Sequence, residues 1–144
     1  MNSHTTPQRA DQGGASPANR SGLLLATVLV LDAVLVLVFS AIGRANHGLE
    51  QSIPGVFQSA WPFLVGLLLG WLISRVWIKP TALTTGLIIW VATVAVGQLL
   101  RFFTTNSFSV AFLIVSVIVL LVFLVGIRLI ALGFRQLNKT PRSN

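Results

Sequence analysis

The chain has 144 residues, 54% hydrophobic and only 9% charged, with a formal net charge of +7. A soluble domain carries roughly 25% charged residues, so this composition argues against an ordinary soluble globule and for a membrane protein. The ten Lys and Arg stand at the edges of apolar runs, which is a membrane-flank pattern and not that of a nucleic-acid binder.

Residues 1–22 are rich in Ser, Thr, Pro, Gln, Gly and Asn and show no hydrophobic period, so they read as a disordered tail. Four apolar segments follow. The first spans 23–42 and the second 60–78, which opens on Trp61-Pro62 with the proline in a first helical turn. The third spans 82–100, and the fourth spans 108–127 with an amphipathic extension to 137. Each holds close to the roughly 20 residues that a 30 Å hydrocarbon layer requires of a helix. The link Lys79-Pro80-Thr81 forces a tight antiparallel hairpin, and Pro54-Gly55 marks a turn in the longer link between the first two segments. Residues 138–144 form a basic tail. The expected fold is all-α, a single antiparallel bundle of four transmembrane helices over 23–137.

Basic residues set the expected orientation. Arg9, Arg20, Arg75, Lys79, Arg128, Arg135, Lys139 and Arg142 fall on one side, and only Arg44 and Arg101 on the other. The positive-inside rule then places both termini in the cytoplasm. Arg128 and Arg135, seven residues apart on one face, read as an anchor to the anionic inner leaflet.

Asp32 lies in the middle of the first apolar run. An acid at that depth costs a few kcal/mol, so it should face protein or water and have a partner. On the third helix Gly86, Trp90, Thr93, Gly97 and Arg101 share one stripe of small and polar groups. Counted from the same end, Trp90 and Thr93 lie within a turn of the depth of Asp32, and both can donate to a carboxylate. Asp32, Trp90 and Thr93 are therefore the candidate intramembrane site, with no cation expected at that level. Asp32 would be a proton relay, a solute contact, or an aspartate that fixes helix packing.

Arg44, His47 and Arg101, with Gln98 one turn further in, mark the outer ends of the first and third helices. They read either as a cup for a phosphate or carboxylate or as cations that complement helix C-termini and snorkel. Gly66 and Gly70, a small-xxx-small pair, and Gly86 and Gly97 are the expected helix-packing positions. Trp61 and Trp77 read as interfacial belt residues and Trp71 as packing. With no Cys there are no disulfides or thiolate sites, and no catalytic or metal-binding motif occurs. No cofactor or metal is expected, and an enzyme built on Asp32 alone has little support.

The ordered set Asp32, Phe39, Gly43-Arg44, His47, Pro62-Phe63, Gly66, Trp71, Gly86, Trp90, Thr93, Gly97 and Leu100-Arg101 resembles domain-of-unknown-function family 3054. These are small bacterial and archaeal membrane proteins. The resemblance implies a membrane domain of this size and suggests that the polar positions act together, and it brings no activity or cofactor. Two functions are expected in competition. One is binding or transport of a small solute, proton or lipid headgroup. The other is an accessory role, packing against a larger membrane complex through Gly66 and Gly70. A homodimer is compatible with either.

Overall fold

The computed structural model describes residues 17–106 and 108–137. They form four helices in the order α1 (Pro17–Asn46), α2 (Ile53–Ser74), α3 (Leu83–Thr105) and α4 (Val110–Leu137). All four are long and apolar enough to cross a membrane. The distribution of side chains agrees with a lipid surround. Large apolar residues such as Leu23, Ile73, Phe103 and Ile130 face outward, whereas Asp32, Thr93, Ser116 and Arg128 are buried.

Several helix boundaries differ from the sequence expectation, each for a local reason. α1 begins at Pro17, inside the segment read as a tail, because proline suits a first turn where no N–H partner is needed. The rest of that tail, 1–16, and the basic tail 138–144 lie outside the described residues. α2 begins at Ile53, seven residues before its apolar run. Ser52 caps it, its Oγ accepting from the Gly55 N–H at 3.2 Å, and Pro54 sits in the first turn. The Pro-Gly pair read as a turn is thus a helix start. Pro62 consequently falls in the interior of α2 and not in its first turn. It removes one ladder bond, a defect that membrane helices tolerate. α2 ends with Arg75 in the left-handed region (φ 49°), and α3 runs on to Thr105 before Asn106 (φ 48°) closes it.

Each helix packs on its neighbours in a closed ring, α1–α2–α3–α4–α1. The diagonal pair α1 and α3 has no Cα atoms within 8 Å of each other. The closest seam is α2 on α3. A Cβ placed on Gly66 would stand 2.9 Å from the Thr93 Cα, and one on Gly70 2.9 Å from the Ile89 Cα. Only glycine permits two backbones to approach so far. The core between the helices holds Val36, Phe39, Phe63, Leu67, Ile89, Leu120 and Leu124. One end of the bundle brings together Ser21, the 77–82 link and Arg135. The opposite, distal end carries the α1–α2 loop and the start of α4.

Candidate functional site

Two polar features lie within this apolar frame. The first surrounds Asp32. Helical spacing puts Asp32, Val36 and Ser40 on the buried face of α1. Opposite, Arg128 lies one turn beyond Leu124 on α4. A helical Cβ leans toward the helix N-terminus, and the N-terminus of α4 is at the distal end. The Arg128 side chain therefore runs back into the bundle instead of out toward the interface. Its Nη1 donates to Asp32 Oδ1 at 2.9 Å and its Nη2 to Asp32 Oδ2 at 2.8 Å. Nη1 also donates to the Leu124 carbonyl at 2.6 Å. Both side chains have no exposed surface. Trp71 of α2 adds a longer contact, Nε1 donating to Asp32 Oδ2 at 3.3 Å. Gly86 of α3 makes room, for a Cβ there would overlap the Arg128 Cδ.

The arrangement corrects four expectations. A cation does reach the level of Asp32, and it is Arg128, so this residue is no leaflet anchor. The Trp90 indole does not approach Asp32 but donates to the Val117 carbonyl on α4 at 3.0 Å. Thr93 is buried yet donates to Ile89 of its own helix at 2.7 Å. The physical reason is the ring order: α3 is diagonal to α1, so its polar stripe meets α2 and α4. The donor on a tryptophan comes from Trp71, on the helix that does adjoin α1. The tilt of the Cβ on α4 was the available signal for Arg128.

The second feature is a pocket at the distal end, a cavity of about 50 Å³ lined by residues of all four helices. Arg44 on the last turn of α1 donates through Nη1 to Ser59 Oγ at 3.2 Å and through Nη2 to the Glu50 carbonyl at 2.6 Å. These bonds hold the guanidinium over the pocket and tie down the α1–α2 loop. Arg101 on α3 stacks on the Phe112 ring, its Cζ 4.2 Å from the centroid. Phe39, Phe63 and Phe112 form the aromatic floor, with centroids 5.3–6.0 Å apart. His47 lines the same cavity from the end of α1.

Gln98 does not join this group. Its Nε2 donates to Ser116 Oγ at 2.7 Å, closing the α3–α4 seam. In its place the pocket has Ser40 and Ser59, which the sequence reading did not select. Ser40 lies two turns beyond Asp32 on the same face, so helical spacing alone could have found it.

Two polar atoms beside this pocket are buried with no partner, Ser40 Oγ and Arg44 Nε. Buried polar groups are ordinarily satisfied, and each orphan costs about 1–3 kcal/mol. Among the described residues the single salt bridge is Arg128–Asp32, so neither Arg44 nor Arg101 faces a carboxylate. No group of three metal-ligating side chains occurs among the described residues.

A four-helix membrane protein with one internal ion pair and a basic pocket at one end is the class that this geometry defines. Its sequence matches the family model described as protein of unknown function (DUF3054) over residues 29–131, more than two thirds of the chain, and the protein belongs to that family. The matched span covers both the ion pair and the pocket. No curated protein and no solved structure was found to match the chain.

Proposed function

We propose that the protein binds an anion, a phosphate or carboxylate group, in the pocket formed by Arg44, Arg101, His47, Ser40 and Ser59. In this reading it resides in the bacterial cytoplasmic membrane with both termini inside, so that the pocket opens at the outer face. The observation that carries the reading is the pairing of two uncompensated guanidinium groups with two orphaned buried polar atoms at one small cavity. An oxyanion would accept from Arg44 Nε, Arg101 and the Ser40 hydroxyl together. Charge-assisted bonds of this kind are roughly twice as strong as neutral ones.

Asp32 has a supporting part in this proposal. Its carboxylate is saturated by Arg128 and Trp71 and joins α1 to α4 and α2 below the pocket. A relay would need that bidentate pair to open. The Gly66 and Gly70 face, named above for a partner complex, is occupied by α3 of the same chain.

The test is calorimetric titration of the detergent-solubilised protein with inorganic phosphate and with acetate. Saturable binding of either is expected. Arg101→Gln should weaken it about tenfold or more, the loss of one charge-assisted bond, and Ser40→Ala by a smaller factor. These two positions are preferable to Arg44, which also holds the loop. Absence of saturable binding, or full affinity in Arg101→Gln, refutes the reading.

A further inference from the structure

We infer that the anion held at the distal pocket is the head of a membrane amphiphile, whose hydrocarbon chain lies between α1 and α4. This rests on the anion-binding reading above and narrows the class of ligand.

A second cavity lies beside the first. A cleft of about 230 Å³ runs between the distal halves of α1 and α4, walled by Ile42, Val115 and Val119. It adjoins the basic pocket, for Phe39, Gly43, His47 and Phe112 line both. The Phe112 ring is the partition. It carries the Arg101 guanidinium on its face and also lines the apolar cleft. Free space lies beside Gly43, where the two cavities meet, since a Cβ there would come no closer than 4.0 Å to the Phe112 ring.

The chemistry of the two compartments is complementary to one molecule. The pocket offers cations and hydroxyl donors suited to a phosphate or carboxylate. The cleft offers an aliphatic wall and, with Ile42 and Val115 about half exposed, a side open to the surrounding hydrocarbon. A free inorganic anion would use the pocket and leave the cleft unused. A lipid or fatty acid uses both, and can enter sideways from the bilayer without its chain crossing water. No acid is among the residues lining either compartment.

The experiment compares inorganic phosphate, butyl phosphate, octyl phosphate and octanoate on the wild type and on Val119→Trp. That substitution fills the cleft, and Val119 itself is not among the residues of the basic pocket. Val115→Trp, at the exposed rim, serves the same purpose if Val119→Trp does not fold. Comparing the two proteins cancels partition of the ligands into the micelle. In the wild type octyl phosphate should bind at least about tenfold tighter than butyl phosphate, well within what four buried methylenes supply. In the filled variant the gain should vanish while inorganic phosphate binds as before.

If phosphate binds but chain length adds nothing, or if Val119→Trp and Val115→Trp both keep the gain, the amphiphile inference falls and the anion-binding reading stands. If no probe binds, both fall. A larger gain for octyl phosphate than for octanoate assigns the site to phospholipid-type heads, and the reverse assigns it to fatty acids; either outcome supports the inference.

Discussion

Replacing the partners of the buried ion pair singly and together gives an outcome that depends on which charge is left behind. Asp32→Leu strands the Arg128 guanidinium with one carbonyl acceptor, Leu124, out of its three bonds. A guanidinium does not shed its proton in proteins, so it stays charged at full burial. Arg128→Met strands a carboxyl group, a type of side chain that, unlike a guanidinium, has a neutral form, and leaves it the Trp71 contact. Breaking a buried pair by removing one partner costs about 3–5 kcal/mol, and replacing both by apolar side chains of similar size is often neutral. Asp32→Leu should therefore fall near the top of that range and Arg128→Met near the bottom. The double variant should return to within about 1 kcal/mol of the wild type. Reversible unfolding in mixed micelles measures all four corners of the cycle. The reasoning is refuted if the double variant is as unstable as the worse single one, or if Arg128→Met is the more damaging of the two.

Gly86→Ala should push the Arg128 stem out of line and cost about 1–3 kcal/mol; in an Arg128→Met background that cost should largely disappear, a non-additivity that the same assay reads. Gly66→Leu with Gly70→Leu should abolish recovery of folded protein by prising α2 from α3. Gly126→Leu should leave the yield unchanged, because nothing lies within 4 Å of a Cβ there. Because the chain has no cysteine, single Cys residues report topology directly. Leu49→Cys should react with an impermeant maleimide on intact cells and Lys79→Cys only after lysis; the opposite pattern would invert the proposed orientation.

The four spans were legible because hydropathy reports membrane depth residue by residue. Segment 23–42 falls inside α1, and segment 108–127 overlaps α4 from Val110 onward, two residues later than its apolar run begins. Helix starts outside the apolar runs were harder. Ser52-Ile53-Pro54-Gly55 is compatible with a turn or with a capped first helical turn, and only the following packing of α2 decides between them. The pairing around Asp32 was not legible from stripes. Which helix faces which depends on ring order, a property of the whole bundle that no local pattern encodes. Trp71 and Trp90 are chemically identical donors, and the diagonal placement of α3 is what separates them. Arg128 stood at the end of an apolar run, where snorkelling outward was the natural reading. Its α4 direction turns the side chain the other way. At the distal end Arg44, His47 and Arg101 do line one cavity, since α1 and α3, although diagonal, both end at the same mouth of the four-helix ring.

The two halves of the ion pair are 96 residues apart in the chain, on the first helix and the last. Translation at roughly 5–20 residues per second leaves about 5–20 s between the emergence of one and the other. During that interval α1 must sit in the bilayer with its carboxyl group uncompensated, at a cost of about 2.5–3.5 kcal/mol. Its surrounding Leu, Val, Ile and Phe residues contribute about −0.3 to −0.6 kcal/mol each, enough to keep it inserted. The nascent chain is thus committed to the membrane from its first span but cannot lock until its last one arrives. A chain that stops short of α4 leaves Asp32 without the Arg128 guanidinium and with Trp71 as its remaining donor.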